Sequence, residues 1–244
     1  MGVTGGPEVS REQVLAHRVA AHGLDRSSPA PDVLALGVRD TPYGSARQAL
    51  AARGASTAGL ELVWSLRGAP HLHRRTELPR LAAALWPLDD ADARRRIDTG
   101  VIRDGARLGL AAFRATAGAF RSVVTAPMSK GEVSGAVSAA VPPSLTYWCE
   151  RCGARHISGL LFQQAGLAGG VGVSVGERRT TVLAPLAPPF PPPESASGTN
   201  GLVRDYLRFL GPATPAEVAA WLGAAPAVVR PGPPRCGGRS SAKS

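Results

Sequence analysis

The order of the elements predicted between residues 129 and 185 constrains the fold of this chain more than any other feature. Apolar residues at helical spacing in 132–140 predict one helix, and a second amphipathic helix is predicted over about 156–166. Two strands of alternating polarity follow in 171–183, around a polar tip at 176–179. Two helices followed by such a hairpin are typical of a winged helix. In that fold the second helix, called the recognition helix, and the hairpin, called the wing, contact duplex DNA.

Composition and charge agree with a DNA-binding protein without requiring one. The chain has 244 residues, of which 44% are hydrophobic and 19% charged, and this is enough apolar material for one to three small cores. A net charge of +10 favours a polyanionic partner. Nearly all of the positive charge is arginine, however, which is also typical of a GC-rich genome.

The sequence gives no signal for export or for membrane insertion. No apolar run reaches the roughly 18 residues that a membrane span needs, and residues 1–10 lack the basic and apolar parts of a signal peptide. Three cysteines are too few for an extensive disulfide framework and suit thiols or metal ligands in a reducing compartment. We therefore expect a cytoplasmic, nucleoid-associated protein without a membrane partner.

The predicted fold is mainly α-helical with small β wings and consists of tandem winged helix-turn-helix modules, of which the third is incomplete. Six prolines in 185–197 predict an extended linker, and the loss of periodicity after Gly223 predicts a disordered tail. The predicted divisions are a first winged-helix-like module at 10–125, a second winged helix at 126–185, a proline-rich linker at 186–201, a partial third winged helix at 202–223 and a disordered tail at 224–244.

The two helices predicted after the linker have no obvious partner within their own module. Residues 202–210 and 214–222 each carry an apolar face, but no third helix or wing follows them. We therefore expect these helices to be held only marginally, and the linker to be cut rapidly by proteases.

Three patches resemble the bacterial winged-helix family that includes alkylated-base and interstrand-crosslink DNA glycosylases. They are Leu-Gly-Val-Arg-Asp-Thr-Pro at 36–42, Trp-Ser-Leu-Arg-Gly-Ala-Pro-His at 64–71, and the helix pair at 202–221 joined by Gly-Pro-Ala-Thr. The last patch is the most specific. The resemblance covers about 10–223 and implies a monomer of three tandem winged helices wrapped around double-stranded DNA. Full-length relatives are expected to add a small β-barrel, so the resemblance implies a C-terminally truncated member.

The resemblance also bears on catalysis, since catalytic members are expected to carry Gln-apolar-Gln or Gln-apolar-Asp in the first patch. Such amide and carboxylate groups position the attacking water. The aligned triplet here is 37–39 or, one residue shifted, 38–40, and neither contains glutamine. Asp40 can still act as a catalytic carboxylate, or it can bind its own backbone as the turn residue before Thr-Pro. We expect catalysis to be weak or absent.

The candidate DNA-binding residues are basic side chains of the first two predicted modules, namely Arg39, Arg67, His71, Arg74, Arg75, Arg178 and Arg179. The last two stand highest because a hairpin tip projects beyond the core and can reach the DNA backbone. Short basic runs such as 74–75 are also typical of a solvated face. His71 can donate to a phosphate or base, or can make a structural hydrogen bond.

A separate cluster has the spacing of a metal site. Cys149 and Cys152 form the Cys-x-x-Cys of a zinc knuckle, and His156 is a candidate third ligand. No fourth ligand is evident nearby, and a two-cysteine turn packed beside Trp148 is the alternative. We therefore expect no required cofactor, with a structural zinc ion as a candidate.

These observations favour a winged-helix DNA-binding protein related to DNA-repair glycosylases that act on alkylated or crosslinked bases. The alternatives are an active monofunctional glycosylase that uses Asp40, and a DNA-binding transcriptional regulator. A dimeric repressor would show a long apolar dimerisation helix, which the sequence lacks.

Overall fold

The computed structural model describes residues 8–25 and 32–229. The helices are α1 (Arg11–Ala21), α2 (Ser45–Ala51), α3 (Leu78–Leu85), α4 (Asp90–Ile97), α5 (Arg103–Ala106), α6 (Leu110–Val123), α7 (Lys130–Ala140), α8 (Gly159–Gly166), α9 (Thr199–Leu210), α10 (Pro215–Leu222) and α11 (Pro226–Val229). The strands are β1 (Val38–Arg39), β2 (Leu60–Trp64), β3 (Pro70–Arg74), β4 (Met128–Ser129), β5 (Thr146–Cys149), β6 (Ala154–Ile157), β7 (Val171–Val175) and β8 (Thr181–Pro185). Across these described residues, no helix has the length and apolar character needed to cross a membrane.

The first sheet separates a small apolar core from a polar face. Its order is β1-β3-β2, and all of its pairings are antiparallel. Val38 and Leu72 lie opposite each other, and Leu72 packs with Leu50 of α2 in a buried cluster. Because side chains alternate along a strand, the next pair, Arg39 and His71, lies on the opposite face. The sheet thereby holds an arginine and a histidine side by side.

Helices α6, α7 and α8 share the largest core with a second sheet, of order β4-β8-β7. Phe120 of α6, Val133 of α7, Leu161 of α8 and Leu183 of β8 are all buried there. Besides residues of α6, this core contains Trp86, Ala93 and Ile97, so it extends across the division that the sequence suggested at 126. The predicted hairpin is present as β7 and β8.

The second predicted helix of this unit is shorter than expected. Residues 154–157 form β6, which pairs with β5, and α8 begins only at Gly159. Ile157 is buried in the core, and an apolar residue at this position suits a helix as well as a strand. Its N–H donates to Ser138 Oγ at 2.7 Å. Helix α8 contains no basic residue. The segment proposed as a recognition helix therefore presents no positive charge of its own.

The C-terminal helices belong to a core that includes residues before, within and after the proline-rich segment. This core corrects two expectations, the boundary at 186–201 and the marginal packing of residues 202–223. Leu202 of α9 and Val218 of α10 are buried with Leu78 of α3 and with Leu186 from the proline-rich segment itself. Helix α9 packs against α3, and α10 packs against the turn at 66–68. The end of α9 is also held by the residue that follows α1, because the His22 ring packs against the buried Phe209.

Part of the expected disordered tail is structured. Ala224 is buried in the same core, and residues 226–229 form α11. The prediction of disorder is therefore wrong for residues 224–229. The remainder, 230–244 with Cys236, lies outside the described residues.

Candidate functional site

A basic cavity lies where the first sheet meets the C-terminal helices. It has a volume of about 460 Å³. Arg39 of β1 and Arg67 line it and are solvent-exposed, whereas His71 of β3 lines it with only 8% of its surface exposed. The remaining walls are His22, Val33, Leu36, Gly37, Leu66, Ala69, Leu210 and Trp221. No carboxylate or amide side chain lines the cavity among the described residues.

The loop between β2 and β3 places Arg67 at the cavity. Arg67 has φ 55°, a left-handed conformation that is uncommon for residues with a side chain. Three backbone hydrogen bonds hold the loop: Ser65 N–H donates to the Ala69 carbonyl at 2.9 Å, Gly68 N–H donates to the Ser65 carbonyl at 2.9 Å, and Ala69 N–H donates to the Leu66 carbonyl at 3.1 Å. Backbone strain of this kind is concentrated at binding and catalytic sites, which is consistent with a functional role for Arg67.

Ser65 connects His71 to a second, deeper histidine. The Ser65 hydroxyl lies 3.0 Å from His71 Nδ1 and 3.0 Å from His73 Nε2, and His71 Nδ1 also lies 2.9 Å from the Ala69 carbonyl. A carbonyl only accepts, so His71 Nδ1 carries the proton. The hydroxyl then accepts from His71 and donates to His73. His71 Nε2 is left with a lone pair and has no hydrogen-bond partner among the described residues.

Both histidines are neutral near pH 7. Burial, assisted by the neighbouring His71, lowers the pKa of His73 to about 3. Burial is also the main cause that lowers the pKa of His71, and the charge of Arg39 adds to it, while the hydrogen bond to Ala69 acts in the opposite direction. The cavity therefore has two permanent cations and a neutral imidazole.

The depressed pKa of His73 predicts a stability that falls in acid. Above pH 6.5 the ring is neutral in the folded and unfolded chains, so it has no effect; below 6.5 only the unfolded chain binds the proton, until the folded ring titrates at about pH 3. Between pH 6.5 and 5 this difference costs about 2 kcal/mol. Denaturant unfolding at both pH values should show that loss in the natural chain and not in His73→Gln. An equal pH dependence in both chains would refute the assignment.

Gly37 is required by the position of His73. It has φ +76°, and a Cβ atom built there would lie 2.2 Å from His73 Cε1. A side chain at 37 therefore has to displace the buried imidazole or move the backbone. In the alignment that places the triplet at 37–39, the glutamine expected at this position in catalytic relatives is incompatible with the observed arrangement.

Asp40 has the contacts of a turn residue. Its Oδ1 accepts from Gly44 N–H at 2.8 Å and from Ala46 N–H at 2.9 Å, so it fixes the start of α2. The side chain is 4% exposed and does not line the cavity. Of the two roles that the sequence left open, these contacts favour the structural one.

The other predicted DNA-binding residues lie apart from the cavity lining. Arg75 pairs with Glu61 at 2.6 Å, and the half-buried Arg74 precedes it at the end of β3. Arg178 and Arg179 lie in the turn between β7 and β8, and Arg179 is exposed. The structure therefore groups the candidates into the cavity set, the hairpin tip and the end of β3.

Several residues at or behind the cavity were not predicted as site residues from the sequence. Ser65 and His73 do not line the cavity but lie behind His71, joined to it through the Ser65 hydroxyl. Ser65 lies within the second family patch, and the spacing of His71 and His73 places both on one face of a strand. His22 and Trp221 come from distant parts of the chain, and only the tertiary packing brings them to the cavity.

Comparison with known proteins identifies the family. The sequence profile of the DNA glycosylase AlkZ-like family matches residues 18–235. The chain belongs to the AlkZ-like family. This confirms the family resemblance inferred from the three patches and supports a function related to DNA-repair glycosylases. No curated protein matches the sequence significantly.

A solved structure shows the same fold for this AlkZ-like chain. It is the Streptomyces sahachiroi DNA glycosylase AlkZ, which superposes with a TM-score of 0.58 at 14% sequence identity. The match covers 89% of this chain and 65% of the Streptomyces protein. At this identity the likeness concerns the fold alone, and the chain spans about 65% of the length of that relative.

Proposed function

We propose that this AlkZ-like chain binds duplex DNA and excises alkylated bases weakly or not at all. The observation that carries the proposal is the charge of the cavity, where Arg39 and Arg67 are exposed and His71 is neutral. A breaking glycosidic bond leaves positive charge on the sugar, which nearby cations destabilise. The same cations attract DNA phosphates. The cavity therefore suits binding better than excision.

The topology supports a winged helix as the DNA-binding unit. Helix α6, strand β4, helices α7 and α8, and the hairpin β7–β8 follow in that order, and β4 pairs with β8 beside the three helices. In this proposal α9 and α10 are the opening of a further module. Because α8 has no basic side chain, contacts are made mainly to phosphates, and we expect little sequence preference.

In this proposal the protein is a cytoplasmic monomer that binds undamaged and damaged duplex DNA alike. The test is fluorescence anisotropy with a labelled duplex of arbitrary sequence at several salt concentrations. We expect the logarithm of the association constant to fall linearly with the logarithm of the salt concentration, at nearly one unit for each phosphate contact. Salt-independent binding, or no binding at low ionic strength, would reject the proposal.

A further inference from the structure

We propose that Cys149, Cys152 and His156 bind a zinc ion at the β5–β6 hairpin, a site that the DNA-binding proposal does not involve. One ligand atom from each residue lies within 4.8 Å of the others. With metal–ligand bonds of about 2.1–2.3 Å, the ligand atoms of a tetrahedral site are about 3.5–3.8 Å apart. Small side-chain rotations therefore close the cluster around a metal.

The backbone of the hairpin brings the three side chains together. Cys149 is paired with Ala154 and Tyr147 with His156, so Cys149 and His156 lie on the same face of the two strands. Cys152 N–H donates to the Cys149 carbonyl at 3.1 Å, which closes the turn. Gly153, at φ +58°, lets the chain return directly into β6. The Cys-x-x-Cys turn and the next strand thereby form one ligand set.

His156 provides an independent indication of a ligand. Its Nε2 is buried and has no hydrogen-bond partner among the described residues. A buried polar atom left without a partner has lost its hydrogen bond to water without replacement, which destabilises the folded chain. A metal ion bound through this nitrogen would remove that cost.

The donor set favours zinc over the common divalent cations that bind oxygen ligands. Two thiolates and one imidazole suit Zn²⁺ better than Mg²⁺ or Ca²⁺, which prefer oxygen ligands. Three protein ligands leave the fourth tetrahedral position to water or another small ligand. Both cysteines are free and not joined in a disulfide, so each can lose its thiol proton and bind the metal as a thiolate.

The metal would stiffen the connection between α7 and α8. The hairpin joins these two helices, and β6 ends at the Ile157 N–H that donates to Ser138 Oγ of α7 at 2.7 Å. Trp148 of β5 is 53% exposed, so the hairpin has little apolar burial around its tip. A bound ion supplies the cross-link that packing does not.

The test is the metal content of the full chain purified under reducing conditions with zinc in the medium, measured by mass spectrometry of the elements. We expect one zinc ion per chain, and its loss in Cys149→Ser, Cys152→Ser and His156→Ala. The matched control is Cys236→Ser, which removes the third cysteine and should retain the metal. Loss of zinc from that control to the same extent as from the ligand variants would overturn the assignment.

A second measurement does not depend on the folding of the variants. Metal-free natural chain titrated with Co²⁺ should develop the intense visible absorption of a tetrahedral site with thiolate ligands, and zinc should abolish it. A natural chain that holds no zinc and gives no such absorption would reject the site. Isolation of a Cys149–Cys152 disulfide that cannot be reduced and loaded would do the same.

Discussion

Excision of an N7-alkylated base by this chain is expected to be several hundred-fold slower than excision by family members that keep the glutamine motif. Loss of one well-placed catalytic donor costs about 3–4 kcal/mol of transition-state stabilisation. At the aligned positions this chain has Gly37, which has no side chain, and Arg39, whose charge opposes that of the developing sugar cation. Because the His73 ring occupies the space beside Gly37, rotation of a neighbouring side chain does not bring an amide group to this position.

The measurement is single-turnover release of the alkylated base at equal DNA occupancy, for the natural chain and for Asp40→Asn. Asparagine keeps the oxygen that accepts from Gly44 and Ala46, so the turn should survive while the carboxylate is lost. We expect equally slow release from both chains. Robust excision by the natural chain would contradict the account, and loss of that activity in Asp40→Asn would make Asp40 the catalytic group.

Replacement of Phe209 by alanine is expected to destabilise the whole protein by about 3–5 kcal/mol. Phe209 is completely buried, its ring lies 5.7 Å from the ring of His22, and His22 Nε2 lies 2.9 Å from its carbonyl. Since α9 shares a core with α3, the loss should affect the folding of the entire chain. Urea unfolding should show one transition, identical by circular dichroism and by tryptophan fluorescence.

The matched control for this prediction is Leu207→Ala on the same helix. Leu207 is 42% exposed, so its truncation should change the free energy of unfolding much less. Two separate transitions, with Phe209→Ala affecting only the minor one, would indicate that the C-terminal helices are held only marginally, as the sequence alone suggested.

Local signals in the sequence predicted the helices and the hairpin well. In the structure Ser129 and Thr214 each accept a hydrogen bond from a backbone N–H three residues later and form capping boxes, local features that fix the starts of α7 and α10. Ile157 shows the limit of local signals, because its apolar spacing fits a helix although it lies in a strand. In the strand its backbone pairs with Thr146 and its N–H donates to Ser138 Oγ, and local periodicity reveals neither contact.

The candidate site was predicted only in part. The family patches pointed to Arg39, Arg67 and His71, which line one cavity. The hydrogen bonds that join Ser65 to His71 and His73 were not predicted, because they depend on the register of β2 against β3, which polarity patterns leave open. Trp221 lines the cavity because α10 packs against the rest of the chain. The absence of a third helix in the sequence had instead predicted that α10 would be held only marginally.

The most direct test of the central claim, that the basic cavity binds DNA phosphate, is the salt dependence of duplex affinity for Arg67→Ala beside Arg80→Ala. Arg80 is an equally charged and exposed residue of α3 that does not line the cavity and pairs with Glu77 at 2.9 Å. We expect Arg67→Ala to lower the slope of log affinity against log salt concentration by about 1, and Arg80→Ala to leave this slope unchanged. Equal slopes for Arg67→Ala, Arg80→Ala and the natural chain would contradict it.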